Sequence, residues 1–286
     1  MKIGIGLPTT VPGATGEQVI EWAKRADAAG FSSLGTIDRI VYSNYEPLVA
    51  LSAAGAVTGR IGLVTTILIA PSRASAAILA KEAATVHALS GGRLVLGMAP
   101  GGREDDFTAA GVTFEDRGRR FDQMLDEMKR LWAGEERGTA GGVGPDVSGN
   151  PPQIVVGGQV DAAFRRAAKY GDGYIMGASP PENLPPAIEK LEAAWAAEGR
   201  EGRPRTMSLA YFSLDDDPDA EVRRSIGAYY AFAGEYAEML MAAAAKGEED
   251  VRERVRAFDA VGCDELIMCP TSSDPGEVDR LAAAVL

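Results

Sequence analysis

Asp38 and Arg39 are the residues whose position most clearly suggests chemistry, because they directly follow the apolar run SLGTI (33–37). A carboxylate at the end of a buried strand could hold or accept a proton, and the guanidinium beside it could pair with an anion of a substrate or cofactor. A salt bridge between the two residues, or a helix cap, is the structural alternative. Glu104 is a second candidate acid or base, although its place in EDDFTAAG favours a solvated carboxylate that caps this turn.

Several kinds of catalytic site are disfavoured by the residues that the chain lacks. Every lysine falls at a predicted strand start or inside a predicted helix, so no lysine is placed to form a Schiff base, and a class I aldolase is disfavoured. The only histidine, His87, lies in a predicted helix before the turn LSGGR, and we expect it to be structural. A His-rich metal centre and a Ser-His-Asp triad therefore lack their imidazoles, and we predict no metal site.

The composition limits the partners of the protein and the compartment in which it works. The formal net charge is -12, with 41 acidic and 29 basic residues and no Lys/Arg run, so we expect no binding of nucleic acid. No apolar run approaches the roughly 18 residues that a membrane span requires. The beginning MKIGIGLPTT resembles a strand rather than a signal peptide, and Cys263 and Cys269 are too few for a disulfide framework. We predict a cytoplasmic protein without a membrane partner.

Eight short apolar runs alternate with segments of helical periodicity along the chain. Such runs are typical of parallel strands that are buried on both faces. They are KIGIGL (2–7), SLGTI (33–37), IGLVTTILI (61–69), RLVLGM (93–98), QIVV (153–156), GYIM (173–176), MSLAYFS (207–213) and ELIMC (265–269). Eight successive βα units predict an α/β fold, a (β/α)8 TIM barrel, with a doubly wound open sheet as the second choice.

The chain shows no linker, so we predict a single domain over residues 1–286. The Gly- and Pro-rich stretch 134–153 is interpreted as the connection between the fourth and fifth units. Glycines follow four of the predicted helices, where a left-handed cap is expected: Gly30, Gly91, Gly134 and Gly171.

In such a barrel, functional residues lie after the carboxyl ends of the strands. Those positions are rich in Gly, Ala, Thr and Ser in this chain. Residues this small let the backbone approach a phosphate group or the edge of a ring, so we expect a bound cofactor to carry the chemistry that the side chains lack. Closure of tight barrel turns is the alternative explanation for the glycines.

Three ordered sequence blocks carry a resemblance to a known family. They are LSGGRLVLG (89–97), GVTFEDRGRRFD (111–122) and KYGDGYI (169–175). In this order they resemble the luciferase-like monooxygenase family, and the resemblance extends over about residues 3–176 and again over the last βα unit (258–286). The resemblance implies a (β/α)8 barrel that uses reduced FMN or the deazaflavin coenzyme F-420 for hydride transfer or oxygen activation.

The resemblance also implies where the cofactor would lie. Its ring would pack on the end of the third strand, where family members often have a non-prolyl cis peptide or a bulge, and its phosphate would meet glycine-rich turns after the fifth and sixth strands. The residues implied are Thr65, Thr66 and Ile67 on the third strand, Ala99 and Gly101 beside the ring, and Gly157, Gly158, Gly177, Ala178 and Ser179 at the phosphate. Simple β-propensity is the alternative for the threonines, and a tight turn is the alternative for the glycine pair.

Asp38 narrowly favours F-420 over FMN, since deazaflavin-using members often carry Asp-His here, where this chain has Asp38-Arg39. We therefore predict an oxidoreductase that transfers hydride to or from a small organic substrate, with Asp38, Arg39 and Glu104 as candidate catalytic residues. An FMN-dependent monooxygenase that uses O2 is the first alternative, and a non-catalytic barrel that has lost its cofactor is the second. The resemblance also implies a homodimer. The connection at 134–153 is shorter than in the family, which implies a pocket that is open or closed by this loop.

Overall fold

The computed structural model describes residues 1–286, and its centre is a closed barrel of eight parallel strands. The strands are β1 (Lys2–Gly6), β2 (Ser33–Thr36), β3 (Gly62–Ile69), β4 (Leu94–Ala99), β5 (Gln153–Gly157), β6 (Gly173–Met176), β7 (Arg205–Ser213) and β9 (Glu265–Pro270). Successive strands pair in parallel, β6 pairs with β7, and β9 pairs with both β7 and β1. A two-residue strand, β8 (Ala245–Lys246), extends the sheet beside the end of β7. The predicted (β/α)8 barrel is confirmed.

Eleven α-helices connect the strands and surround the barrel. They are α1 (Gly16–Ala29), α2 (Pro47–Val57), α3 (Ala76–Leu89), α4 (Glu104–Ala110), α5 (Arg117–Trp132), α6 (Asp161–Tyr170), α7 (Leu184–Ala197), α8 (Pro218–Val222), α9 (Glu235–Ala243), α10 (Glu248–Ala260) and α11 (Gly276–Val285). A π-helical turn follows α8 at Arg223–Gly227.

The helix ends follow local sequence signals. Thr15 and Gln18 form a capping box at the start of α1, with each side chain bonded to the other residue's backbone N–H. The predicted left-handed caps are confirmed at Gly30, Gly91 and Gly134, which have positive φ. The prediction for Gly171 is wrong, because its φ is −98°. A Cβ there would lie 3.0 Å from the carbonyl oxygen of Ala167, so close backbone packing accounts for this glycine.

Two apolar clusters form the core. The larger one has 51 buried residues and lies between the strands and the helices. The smaller one contains inward-facing residues of the strands, such as Val64, Val155 and Ile267, and continues into the segment after β7 through Val222 and Ile226. The segment after β7 is therefore packed onto the barrel as part of its core.

Polar side chains close the barrel interior at the amino-terminal ends of the strands. The buried Glu265 carboxylate forms an ion pair with Arg205 and accepts hydrogen bonds from the hydroxyls of Ser32 and Ser33 at 2.5 and 2.6 Å. Arg205 also donates to the side chain of Gln153 at 3.2 Å. We refer to these five residues as the lower plug.

The connection at 134–153 lies at this same end of the molecule, between the end of α5 and the start of β5. It is pinned by a hydrogen bond of 2.9 Å from Lys81 Nζ to the Gly144 carbonyl and by the contact of Asn150 with His87. The expectation that this loop could close the substrate pocket is therefore wrong, because it packs at the end opposite to the carboxyl ends of the strands.

Candidate active site

Small residues line the barrel interior at the carboxyl ends of the strands, which we call the mouth. A Cβ built on Gly157 would lie 2.7 Å from Ile67 Cδ1 and 3.6 Å from Ala99 Cβ, so these three residues lie side by side. On the other side of the mouth, a Cβ on Gly6 would lie 3.0 Å from Pro270 and 3.6 Å from Cys269 Sγ. The side of the mouth formed by Ile67, Ala99 and Gly157 is a shallow apolar surface, which we call the cradle, and its shape suits the face of a planar ring.

The third strand is irregular at the cradle. The peptide between Thr66 and Ile67 is cis, and the register between β3 and β4 shifts between Thr65 and Leu68. The cis peptide or bulge implied by the family resemblance is therefore confirmed at this position. Thr65 Oγ1 donates to the Gly97 carbonyl at 2.8 Å, and Thr66 Oγ1 donates to the Thr36 carbonyl at 3.1 Å. These buried hydroxyls hold β3 to its neighbours, and the half-buried Ile67 side chain is the part that reaches the cradle.

The Asp38 carboxylate is engaged in a buried ion pair, with Arg73 rather than with the adjacent Arg39. Arg73 donates to both Asp38 oxygens, and the Ile69 backbone N–H donates to Asp38 Oδ2 at 2.8 Å. Arg73 also bonds Glu46 at 3.0 Å. Three donors thus reach the Asp38 carboxylate, which fixes the turn after β3 and is engaged in the ion pair with Arg73.

Arg39 lies among aromatic rings at the mouth. Its side chain is 9% exposed, and its guanidinium lies 5.0 to 5.6 Å from the ring centroids of Tyr42, Tyr229 and Phe232. It donates to the Tyr229 carbonyl at 2.7 Å and reaches Asp105 at 3.4 Å, whereas its Nε has no acceptor. A buried N–H without an acceptor is unusual, and this one is available to an acceptor on a bound ligand.

Arg103, which the sequence did not single out, braces the same loops. It donates to the buried Asp106 carboxylate and to the Asp38 carbonyl, both at 2.8 Å. The other oxygen of Asp106 accepts from the backbone N–H groups of Ile40 and Val41. Glu104, in contrast, is exposed at the first residue of α4, and no hydrogen bond of its side chain is seen. The acidic residue of EDDFTAAG that organises the mouth is thus Asp106.

The segment Tyr229–Tyr236 covers the mouth, and we call it the aromatic cap. Tyr229 OH donates to the Asp38 carbonyl at 3.2 Å, and Tyr236 OH donates to the Ala178 carbonyl at 3.3 Å, so the cap spans from the end of β2 to the turn after β6. Between these two contacts, Tyr230 OH lies 3.1 Å from the hydroxyl of Tyr211 on β7. These aromatic residues therefore cover the carboxyl ends of the strands.

Burial keeps the ionisable groups beneath the cap in their neutral forms. It raises the pKa of Tyr229 to about 12 and also raises the pKa values of Tyr211 and Tyr230. It raises the pKa of the Cys269 thiol to about 12. These groups can therefore donate hydrogen bonds at neutral pH.

The turns after β5 and β6 surround a cavity of about 300 Å³ between α6 and α7. Its lining includes Gln159, Ser179, Asn183 and Lys190. Gly158 has a φ of +134°, and its carbonyl is fixed by a hydrogen bond of 2.9 Å from Tyr174 OH. A Cβ on Gly177 would meet no atom within 4 Å. Three polar side chains and the ammonium group of Lys190, which also pairs with Asp161 at 2.9 Å, suit the anionic end of a cofactor.

The predicted cofactor residues thus fall into two adjoining groups. Thr65, Thr66, Ile67, Ala99 and Gly157 surround the cradle, and Gly158, Gly177, Ala178 and Ser179 form the turns at the cavity. Gly101 is displaced from both, because a Cβ there would lie 2.5 Å from Ile69, and the residue serves a tight turn. Together the two groups fit a cofactor with a planar ring and an anionic tail.

Sequence reasoning gave no role to several residues of the mouth, namely Arg73, Arg103, Asp106 and Tyr211. Tyr211 could have been found by strand alternation, since it has the same phase on β7 as the inward-facing Met207 and Leu209. Arg73 lies beyond the end of β3, and no local pattern assigns its carboxylate partner. The structure shows no group of three His, Cys, Asp or Glu residues that could hold a metal ion. It also contains no helix that is long and apolar enough to cross a membrane.

The fold and the mouth define the chain as a (β/α)8-barrel oxidoreductase of the kind that relies on a flavin-type cofactor. A profile of the luciferase-like monooxygenase family matches residues 1–277, and the chain belongs to this family.

Similar proteins include an F-420-dependent dehydrogenase and a reductase. The chain is 30% identical over 224 residues to the F-420-dependent glucose-6-phosphate dehydrogenase of Kineococcus radiotolerans. The aligned region covers 70% of this chain and 65% of that protein. It is 27% identical over 231 residues to the 5,10-methylenetetrahydromethanopterin reductase of Archaeoglobus fulgidus, and the aligned region covers 79% of this chain and 67% of that protein. An uncharacterized protein of Mycobacterium tuberculosis is 31% identical over 228 residues, with 68% and 78% covered.

Solved structures of this fold include enzymes of both cofactor types. The monooxygenase RslO1 from Streptomyces bottropensis superposes with a TM-score of 0.79 at 25% identity, over 99% of this chain and 98% of that one. An F-420-dependent secondary alcohol dehydrogenase has the same TM-score and coverage at 17% identity. The FMN-bound oxygenating component of 3,6-diketocamphane monooxygenase from Pseudomonas putida superposes with a TM-score of 0.74 at 18% identity, over 100% of this chain and 99% of that one. The last two similarities show the fold alone.

Proposed function

We propose that the protein uses coenzyme F-420 to transfer a hydride to or from a small organic substrate. The observation that carries the proposal is the cradle of Ile67, Ala99 and Gly157 beside the irregular turn of β3, with the polar turns of Gly158 and Ser179 next to it. The similarity to an F-420-dependent dehydrogenase supports the choice of cofactor. When bound, F-420 supplies the hydride chemistry that the side chains of this chain lack.

The residues of the mouth then have separate roles. The cradle binds the ring, and the turns after β5 and β6 hold the anionic tail. The aromatic cap excludes water from the barrel interior, where electrostatic interactions are stronger. We assign Asp38 a positioning role through Arg73, which replaces the role in proton transfer suggested by the sequence alone. Arg39 binds an acceptor group of the ligand through its free Nε, and Glu104 has no contact that assigns it to the reaction.

An FMN-dependent monooxygenase is the second candidate function, and the family match itself favours it, since the family is described by that reaction. One titration distinguishes the two. The purified protein is titrated with F-420 and with FMN while cofactor fluorescence is followed, and we expect micromolar binding of F-420 and weaker binding of FMN. Tight binding of FMN alone would reverse the choice of cofactor, and binding of neither would contradict the proposed enzyme.

We further propose a homodimer that works in the cytoplasm. Four large apolar side chains are exposed on the adjoining helices α2 and α3, namely Val49, Val57, Ile78 and Leu89. Such a patch supports association through this face. Light scattering should give a dimer for the wild type and a monomer for the double variant Val49→Asp, Ile78→Asp. A wild-type monomer would contradict the proposal.

A further inference from the structure

The hydroxyl groups of Tyr211 and Tyr230 carry two protons, but the protein provides an acceptor for only one of them. The two oxygens lie 3.1 Å apart, and neither has another hydrogen-bond partner. Each phenol carries one O–H, so one phenol donates to the other, and the proton of the second phenol has no acceptor. Buried donors are normally satisfied, and an unused donor in a cofactor-binding mouth indicates an acceptor atom on the ligand.

The pair lies across the barrel from the cradle. In the closed order of eight strands, β7 is four positions away from β3, so Tyr211 is diametrically opposite the strand that carries Ile67. Tyr211 faces inward, since it packs in the inner cluster with Ile175 and Ile267. A substrate between the cradle and β7 would therefore have the cofactor ring on one side and the phenol pair on the other.

The other candidate proton donors of the mouth are occupied, chemically unsuited or outside the barrel interior. Glu277 is of the last kind, since it lies in the first turn of α11 and accepts from the backbone N–H of Leu214 at 2.8 Å. The Asp38 carboxylate is bonded to Arg73, and the Thr65 and Thr66 hydroxyls are bonded to backbone carbonyls. Arg39 has a free Nε–H, but a guanidinium does not release its proton. Ser213 Oγ is also unpartnered, but an aliphatic hydroxyl is a much weaker acid than a phenol. His87 lies at the opposite end of the barrel.

We propose that Tyr211 is the catalytic acid that binds and protonates a substrate carbonyl oxygen, which makes the substrate class a ketone or, in the reverse direction, a secondary alcohol. This inference rests on the proposed function, because the hydride comes from reduced F-420. As the hydride adds to the carbonyl carbon, the π electron pair moves to the oxygen, and the phenolic proton of Tyr211 forms the new O–H bond. The resulting phenolate regains a proton from solvent through Tyr230, which is half-buried where Tyr211 is buried.

The first test measures binding without turnover. Protein loaded with oxidised F-420 is titrated calorimetrically with three ketones, acetone, cyclohexanone and acetophenone, and with the matched hydrocarbons in which CH2 replaces the oxygen. We expect Tyr211→Phe to weaken binding of the preferred ketone about tenfold and to leave the hydrocarbon unchanged, as the loss of one hydrogen bond predicts. Tyr170→Phe is the matched control, since no hydrogen bond of its hydroxyl is seen and it lies at the end of α6.

The second test separates an acid from a residue that only shapes the pocket. Tyr211→Phe should lower kcat for ketone reduction about a hundredfold with a much smaller change of KM, whereas loss of a residue that only shapes the pocket should act mainly on KM. Tyr230→Phe should have the smaller effect, because it leaves the Tyr211 proton in place.

The outcomes distinguish this inference from the proposed function. If neither cofactor binds, the proposed function fails and this inference fails with it. If F-420 binds but all three ketones bind no better than their hydrocarbons, or if Tyr211→Phe keeps full affinity and kcat, only the inference about Tyr211 is overturned. A large loss in Tyr230→Phe with none in Tyr211→Phe would also overturn the assignment to Tyr211.

Discussion

The two ends of the barrel differ in how well their buried polar groups are paired by hydrogen bonds. At the amino-terminal end, the lower plug gives the buried carboxylate of Glu265 three donors, from Ser32, Ser33 and Arg205. At the mouth, several buried polar atoms have no partner, among them Thr9 Oγ1, Arg39 Nε and Ser213 Oγ. Unsatisfied buried groups cost stability, and although His87 Nδ1 at the other end also lacks a partner, the set at the mouth is best explained by binding. The same strands thus have one end built for stability and one end built for a ligand.

Removal of Glu265 should have the largest effect on stability. Glu265→Ala leaves Arg205 without its partner and two serine hydroxyls without their acceptor, and we expect a loss of about 4 kcal/mol in the free energy of unfolding. Denaturant titration measures this loss, with the exposed Glu192→Ala on α7 as the control. Cofactor affinity of the folded variant should be unchanged. A Glu265→Ala protein as stable as the control would remove the distinction between the two ends.

The Asp38–Arg73 pair tests whether the mouth also contains a stabilising element. Asp38→Asn and Arg73→Gln should each cost about 3 kcal/mol, because the first leaves Arg73 with Glu46 alone and the second leaves the buried Asp38 carboxylate without its cation. The double variant should lose less than the sum of the two single losses, because the two groups act largely through each other. Arg119→Ala, which breaks an exposed pair with Asp116, is the control. Strictly additive losses would contradict a positioning role for Asp38.

The fold could be predicted from the sequence because its signals are local. Each of the eight apolar runs became a barrel strand, since a strand buried on both faces must be apolar along its whole length. The helix caps at Gly30 and Gly134 could also be predicted, because a glycine directly after a helix is a local signal. Gly171 was wrongly predicted to be such a cap, because the need for glycine there comes from the carbonyl oxygens of Ala167 and Ile154, which only the folded chain brings together.

The site was only partly predictable, because its key pairs are distant along the chain. The ring surface at Ile67 and Ala99 was expected from the family resemblance, whereas Gly157 was expected at the phosphate and lies against these two residues instead. The partner of Asp38 was not, since Arg73 is 35 residues away in sequence. The contact between Arg39 and the Tyr229 carbonyl spans 190 residues. The sequence left the pocket open or closed by the loop at 134–153, and the position of this loop between α5 and β5 places it at the opposite end from the mouth.

The buried carboxyl of Glu277, at the mouth end, should make the stability of the protein depend on pH. Burial raises the pKa of its carboxyl to about 7 from 4.5, and its Oε2 has no partner. The folded state therefore favours the neutral form, and stability falls as the pH rises from 4.5 through about 7. Glu277→Gln should match the wild type near pH 4 and be more stable by about 2 kcal/mol near pH 8. Equal pH dependence of unfolding in the two proteins would contradict this assignment.

The cradle itself gives the smallest and most specific effect. In Gly157→Ala, the new methyl group would lie 2.7 Å from Ile67 Cδ1, and the end of this flexible side chain would move into the space that the ring needs. We expect F-420 affinity to fall about tenfold, with a loss of stability near 1 kcal/mol. The control is Gly149→Ala, where a Cβ would meet no atom within 4 Å. Unchanged affinity would show that the ring does not rest on this surface. A selective loss of affinity would tie ligand binding to the mouth and leave the lower plug as the element that stabilises the fold.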